Sequence, residues 1–377
     1  MCGIAGLFHF DRARAAPEAL ARAMAQALSH RGPDAHGSHA DGPAALGHAR
    51  LSIIDLRPEA NQPMLSADGE VAIAFNGEIY NFQQLGRELQ REGVTLRTRS
   101  DTEVILELYR QRGLDFVSAL RGMFAIAIWD RRAQRLVLAR DRVGQKPLFY
   151  YQDAEHLSFA SEVRALLCDE RVTPRVDTEG LSLYLSLGYV PSCASAFDGI
   201  KKVQPGCMLV VDANGVREHR YWKLEYGPAR RLPVADEVRT LREKLADAVR
   251  ARMISDVPLG AFLSGGLDSS TIVAMMAQAS DRPVKTFSIG FDDADYSELE
   301  HARAVAEHYR TEHYEEVVRP DAVALLPMLV QQYGEPFADP SAVPTYCLSR
   351  MTRQHVTVAL SGDGADETFA GYTRYAH

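Results

Sequence analysis

Up to about Gly215, apolar residues come in short runs cut by turn formers. Beyond Ala235 they recur at helical spacing between brief apolar strands. In the first half, Val71 to Phe75 predicts a strand that runs into a turn at Asn76-Gly77-Glu78. A helix follows, with Asn81 as cap, Phe82, Leu85 and Leu89 on one face, and Gly93 as its stop. Ser100-Asp101-Thr102-Glu103 has the form of a capping box ahead of a second helix. Gly122–Asp130 with Leu136–Asp141, and Leu148–Tyr151 with Leu157–Ser161, predict two hairpins. Helices near Glu162–Leu167 and Thr178–Leu187 precede a last hairpin, Cys207–Val211 with Val216–Tyr221, turned by Asn214-Gly215.

The second half alternates. A charged amphipathic helix at Ala235–Met253 leads into strand Leu259–Leu263, helix Ser269–Ala279, strand Val284–Phe291 and helix Ser297–Tyr309. Helices at Asp321–Tyr333 and Ala342–Arg353 then precede strand Val356–Leu360. Such alternation predicts a parallel sheet covered by helices. The expected division is residues 2–215 as one domain, 216–235 as linker, where Gly227-Pro228 and Pro233 break structure, and 236–377 as a second domain. Asp366–Tyr375 opens a helix just before the sequence stops at His377, which reads as a partial second domain.

Composition narrows the function classes. The 377 residues are 46% hydrophobic and 24% charged, as in ordinary soluble proteins, and their length favours two domains. A net charge of −8 argues against a broad nucleic-acid surface or an anionic membrane as partner. The first residues lack a secretory signal, and no stretch has the apolar length of a membrane span. Five scattered cysteines, including Cys193, form no Cys-x-x-Cys pair, so a reduced, cytoplasmic location is expected.

Two segments carry candidate chemistry. Cys2 becomes the first residue if Met1 is removed, and its own amine can then act as base for its thiol. Taken alone, a cysteine at this position reads equally well as an inert buried thiol. The second segment, Leu263-Ser264-Gly265-Gly266-Leu267-Asp268-Ser269-Ser270, sits at a strand end and opens a helix. It offers backbone N–H groups to a phosphate, but it lacks the G-x-x-x-x-G-K-[ST] lysine of γ-phosphate transfer.

The blocks around these segments carry a resemblance. Cys2-Gly3-Ile4-Ala5-Gly6, His30-Arg31-Gly32-Pro33-Asp34, His48–Ile53, Phe75–Asn81, Ser100–Glu103, Arg140–Leu148 and Phe159–Glu162 stand in the order found in amidotransferases with an N-terminal-nucleophile glutaminase. Ser264–Ser269, Thr286–Phe291, Glu335–Ser341 and Leu360–Glu367 resemble the ATP pyrophosphatase domain of the asparagine synthetase family.

That resemblance implies an α/β two-domain protein: an αββα glutaminase sandwich, then a Rossmann-like parallel-sheet nucleotide-binding domain. It implies Cys2 as nucleophile, with the Asn76 side chain and Gly77 N–H as oxyanion hole. Arg50 would clamp the glutamine carboxylate, Glu78 and Asp101 would take its ammonium, and backbone at Leu51, Ser52, Ile53 and Ile54 would touch it. ATP would meet Leu263, Ser264, Gly265, Gly266, Asp268, Ser269, Ile289, Ser361 and Gly362, with Mg²⁺ on Asp268 and Asp366. His30 and His48 read as structural, since the base is the terminal amine.

The implied reaction joins glutamine, ATP and a carboxylate acceptor, with aspartate leading, and gives asparagine, AMP and pyrophosphate. Asp363 stands where some relatives carry glutamate, and Ala365 and Thr368 also depart from common residues. These departures keep another acceptor, a sugar acid or peptide carboxylate, as an alternative. A glutaminase with a non-synthesising nucleotide module is a third reading. A homodimer is an open expectation.

Overall fold

A computed structural model describes residues 1–192, 194–227, 232–293 and 297–376, so Cys193 and Pro228 lie outside the described residues. The chain divides into two compact units, one of residues 1–226 with 330–338, the other of 227–329 with 339–377.

In the first unit the strands are β1 (Gly3–His9), β2 (Ala35–Asp41), β3 (Ala44–Arg50), β4 (Met64–Leu65), β5 (Val71–Ile79) and β6 (Gly122–Asp130). They continue with β7 (Arg135–Arg140), β8 (Phe149–Gln152), β9 (His156–Ala160), β10 (Ile200–Lys202), β11 (Cys207–Asp212) and β12 (Gly215–Arg220). One antiparallel sheet runs β10-β8-β9-β1-β3-β2 and the other β12-β11-β7-β6-β5-β4. Ile4, Phe8, Leu46 and Phe159 of the first meet Ala74, Ala127, Trp129, Leu138 and Leu209 of the second in one dry core. Losing a side chain the size of Trp129 from such a core costs about 3–5 kcal/mol.

Helix Glu18–Ala27 covers the outer face of the first sheet, where Met24 and Leu28 pack with Ala5 and Ala49. Helix Asp101–Arg112 lies against β5, so the layers are helix, sheet, sheet, helix. This is the expected αββα sandwich.

Several local expectations change. The backbone does not turn at Asn76-Gly77-Glu78: β5 pairs with β6 from Val71↔Asp130 through to Ile79↔Gly122. Asn81 stands at the helix start but sends its side chain to Ala119 O (3.0 Å) instead of capping. The capping box is half formed. Ser100 Oγ accepts from Glu103 N (3.3 Å), while the Glu103 carboxylate accepts from Thr98 N (2.6 Å).

The boundary at residue 215 also moves, because β12 pairs with β11 along its whole length and keeps residues 215–220 in the first unit. Residues 330–338 join that unit as well. There Ala338 N donates to Gly188 O (2.8 Å), and half-sheltered Glu335 pairs with Lys202 Nζ (2.8 Å).

The second unit contains β13 (Leu259–Phe262), β14 (Lys285–Gly290), β15 (Glu312–Val317) and β16 (Val358–Leu360), all parallel in the order β15-β14-β13-β16. Helices Val234–Arg252, Leu267–Ala279 and Leu299–Tyr309 bring Val249, Val273, Met276 and Ala302 onto one face, over Ala261 and Leu360. Met351, from helix Ala342–Arg353, packs with Phe287 in a separate cluster. This is the doubly wound, Rossmann-like arrangement that the alternation predicts. Among the described residues no helix is long and apolar enough to cross a membrane.

Candidate functional sites

Cys2 precedes β1, which lies beside β3 with Gly3 opposite Ala49. That register places the thiol at Leu51, whose N–H donates to Cys2 Sγ at 3.4 Å, while the thiol faces Leu51 O at 3.6 Å. Burial pushes the thiol pKa up, opposed by the Leu51 contact and by the positive charges of the chain terminus and Arg50. Met1 is present, so the terminal amine stands one residue away from the sulfur.

Arg50 ends β3, nearly buried. Its guanidinium organises the following loop: NH1 donates to Asn61 Oδ1 (2.7 Å) and Arg57 O (3.1 Å), and NH2 to Asp55 O (2.5 Å) and Ile54 O (3.4 Å). The expected carboxylate clamp is thus shared with backbone carbonyls, and the Ile54 bond is the weakest of the four. Ser52 N donates to Asp34 Oδ2 (2.8 Å), while Leu51, Ser52, Ile53 and Ile54 remain partly exposed along the same loop.

Asn76 is 1% exposed, and neither its amide oxygen nor its amide nitrogen has a hydrogen-bond partner among the described residues. Two unsatisfied polar atoms in one buried amide cost about 1–3 kcal/mol each, a cost that natural sites carry when a ligand supplies the partner. Gly77 is required next to it for packing: a Cβ there would meet Met123 O at 2.1 Å.

Asp101 opens helix Asp101–Arg112, and its Oδ2 accepts from Ile79 N (3.1 Å) at the end of β5. Burial raises its pKa to about 6 against the pull of backbone N–H groups and Arg50. Glu78 is buried on the same strand end and contributes an opposing negative charge at Lys146. Cys2, Arg50 and Asp101 therefore share one electrostatic neighbourhood.

His30 and His48 hold structure, as expected. His48 Nε2 faces Phe75 O (3.0 Å), and burial drives its pKa down to about 3, so it is neutral and ties β3 to β5. His30 Nε2 lies 3.0 Å from Glu162.

Two residues of this site were only motif members in the sequence. Arg31 Nε donates to Cys2 O (2.9 Å) while its NH1 holds Glu162 (2.8 Å). Lys146 brings a buried ammonium to within 2.7 Å of Met1 Sδ. A basic residue just after a His or inside a turn gives no local pattern, so neither position is visible without the fold.

In the second unit the loop after β13 meets the loop after β16. A Cβ on Gly362 would lie 2.9 Å from Ser269 N and 3.0 Å from Asp268 Cβ, so Ser361 and Gly362 border the Ser264–Ser269 turn. Adjacent parallel strand ends are where such sheets bind ligands. Gly265 has φ +88°, and a Cβ there would meet Ala302 N at 2.6 Å, so only glycine fits. Ser264 Oγ lies 2.9 Å from Ser269 Oγ and accepts from Gly266 N (3.2 Å), shaping the turn that opens helix Leu267–Ala279. Ile289 keeps some surface, whereas Leu263 is 1% exposed and belongs to the core.

Asp268 stands in the first turn of its helix and Asp366 in the first turn of helix Ala365–Phe369. No group of three or more His, Cys, Asp or Glu side chains with metal-binding geometry occurs among the described residues. Magnesium that arrives with a nucleotide needs only one or two carboxylates plus phosphate oxygens, so this donor set fits it.

Residues 1–222 match the family of glutamine amidotransferase domains, and residues 240–377 match the asparagine synthase family. The first part is thus a glutamine amidotransferase domain. The chain is 40% identical to the glutamine-hydrolysing asparagine synthetase 1 of Bacillus subtilis (strain 168), over 100% of this chain and 59% of that protein. It is 37% identical to a putative asparagine synthetase 2 of Methanocaldococcus jannaschii, over 99% and 76%. Amidase chry2 of Gibberella zeae is 34% identical, over 92% and 54%. The chain belongs to the glutamine-hydrolysing asparagine synthetase family. It spans 59% of the length of the Bacillus relative.

Proposed function

We propose that the chain hydrolyses glutamine at Cys2 and uses ATP in its second unit to activate a carboxylate, with aspartate as acceptor and asparagine as product. The observation that carries this reading is the buried Asn76 amide without a partner among the described residues, on the strand that carries Glu78 and ends at the Asp101 carboxylate, in a family that takes its nitrogen from glutamine. After removal of Met1 the freed Cys2 amine takes the thiol proton, and the thiolate attacks the glutamine amide carbon. The Asn76 side chain and Gly77 N–H stabilise the oxyanion. Ammonia leaves, and water releases glutamate from the thioester. Arg50 receives the glutamine carboxylate by exchanging its 3.4 Å bond to Ile54 O.

In the second unit the Ser264–Ser269 turn receives the pyrophosphate of ATP while the acceptor carboxylate attacks the α-phosphorus. Pyrophosphate leaves, ammonia attacks the acyl carbon, and AMP departs. Asp268 and Asp366 would hold Mg²⁺, which supplies charge neutralisation for the phosphates. The deciding experiment mixes protein, glutamine and ATP with aspartate, a sugar acid or a peptide acid. AMP and pyrophosphate in step with asparagine are expected. ADP and inorganic phosphate would mean an acyl phosphate and remove the assignment of this turn. A non-aspartate amide would favour the second reading, to which the aspartate at position 363 points.

Asp101 gives the glutaminase a pH signature. Its carboxyl, with a pKa of about 6, must be ionised to receive the glutamine ammonium. Above pH 6 the charge is present. Below it the free site protonates, and KM for glutamine should rise about ten-fold per pH unit. Asp101→Asn should raise KM on the order of ten- to a hundred-fold at pH 7.5 and flatten that dependence. Steady-state kinetics from pH 5 to 8 check both, and a KM that still climbs below pH 6 in the variant would assign the limb elsewhere.

A further inference from the structure

Lys146 lies between β7 and β8, 5% exposed, in a turn fixed from both sides. Its N–H donates to Asp141 Oδ2 (2.9 Å), and its carbonyl accepts from the buried Arg140 Nε (2.8 Å). Arg140 also donates to Val203 O and Gly144 O, each at 2.8 Å. So rigid a backbone aims the lysine stem at one place, and the acceptor found there is the Met1 thioether, at 2.7 Å. A thioether is a weak acceptor for an ammonium. It also belongs to the one residue that must leave before Cys2 has a free amine.

We propose that Lys146 is the positioning residue of the terminal nucleophile: once Met1 is excised, its ammonium stands beside the new Cys2 amine and keeps that amine unprotonated. This rests on the glutaminase reading above. Five bonds separate Met1 Sδ from the Cys2 nitrogen, about 6 Å at full stretch. With the ammonium 2.7 Å from that sulfur, the Cys2 nitrogen lies at most about 9 Å from it, within range of an electrostatic effect in a partly buried site. An ordinary α-amine has a pKa of about 7.7–8.0 and is half protonated near neutrality, which would idle half the enzyme. A neighbouring cation at this range, in a partly buried site, lowers the pKa by on the order of one unit.

The surrounding charges decide which of the two groups gives up its proton. Glu78 and Asp141 support the lysine charge, while burial and Arg31 bring its pKa down to about 8, below an ordinary lysine. Around the terminus stand Arg31 and Arg50, and against them Asp101 and the Glu162 carboxylate, which Arg31, His30 and Arg164 already hold. Lys146, at about 8 with Glu78 and Asp141 beside it, starts slightly above the ordinary amine range of about 7.7–8.0, and Arg50 beside Cys2 lowers the amine further, so the amine deprotonates first and Lys146 remains the cation.

The test is the pH dependence of kcat for glutamine hydrolysis by the full chain, with loss of Met1 verified by mass. At saturating glutamine the bound ammonium suppresses the Asp101 titration, so the acidic limb of kcat reports the amine. Lys146→Met should move that limb up by about one unit, a roughly ten-fold loss at pH 6 that disappears above pH 8.5, while Lys146→Arg keeps the native limb. If Lys146→Met does not fold, Lys146→Gln serves, with soluble yield and thermal melting as the check on folding. A limb that stays in place while kcat is unchanged, or falls equally at every pH, overturns the proposal. A wild type that hydrolyses no glutamine would sink the glutaminase reading instead, so the two failures are separable.

Discussion

Cys2→Ala should reduce glutamate release from glutamine by at least about a thousand-fold, the scale on which loss of a covalent nucleophile is felt. The same loss is expected when Met1 is retained or another residue is placed ahead of Cys2. With Met1 in place the terminal amine stands one residue from the sulfur, and the thiol, whose pKa burial already pushes up, has the Leu51 backbone as its hydrogen-bond partner among the described residues. The expected roles of the histidines make this prediction sharp. His48 is neutral and engaged with Phe75 O, and His30 is engaged with Glu162, so neither substitutes as base. In protein competent for synthesis, ammonium salts should restore amide formation by Cys2→Ala, because the reaction proposed for the second unit consumes ammonia whatever its source. Measuring glutamate and amide side by side separates the two activities. Normal glutamine hydrolysis by protein that retains Met1 would show that the base is another group.

Much of this was readable from residue order alone. The short, nearly continuous apolar runs of β6, β7 and β11 were legible because both faces of these strands are buried, and the alternation beyond Ala235 because its helices carry one apolar face between brief apolar strands. The charged strand β15, Glu312–Val317, was not. It is the sheet edge, mostly open to water, and Glu-His-Tyr-Glu-Glu-Val has no apolar face to betray it. The expected turn at Asn76-Gly77 failed for a related reason. Asn-Gly is a strong turn signal in isolation, but pairing with β6 holds it extended, and the glycine is there to let Met123 O approach. Residues 330–338 were assigned by motif position to the second domain, while their hydrogen bonds and the Glu335–Lys202 pair place them in the first unit. That depends on contacts across more than a hundred positions, which no local pattern encodes. The site followed the same rule. Cys2, Arg50, Asn76 and Asp268 drew notice as candidates from their motifs, whereas Arg31 and Lys146 acquire meaning only from what the fold sets beside them.

Asp268→Asn should abolish pyrophosphate release and amide synthesis, by about a hundred-fold or more, while basal glutamine hydrolysis stays near normal. The turn from Ser264 to Ser269 presents backbone N–H groups at the start of helix Leu267–Ala279, and its two serine hydroxyls are spent on each other. It has no lysine, so the negative charge of a triphosphate must be met by a cation that arrives with it. Asp268 lies in that helix's first turn and packs at the Gly362 backbone, which places it where both strand-end loops meet. Asparagine keeps the size and the polar tip but removes the charge that would hold the cation. Glutamine hydrolysis should be spared because Cys2, Arg50 and Asp101 all belong to the other unit. Parallel assays of pyrophosphate and glutamate in one preparation make the comparison internal, and correct folding is checked by an unchanged melting temperature. Undiminished pyrophosphate release by Asp268→Asn would mean that other groups neutralise the nucleotide, whereas equal loss of both products would point to a general structural defect.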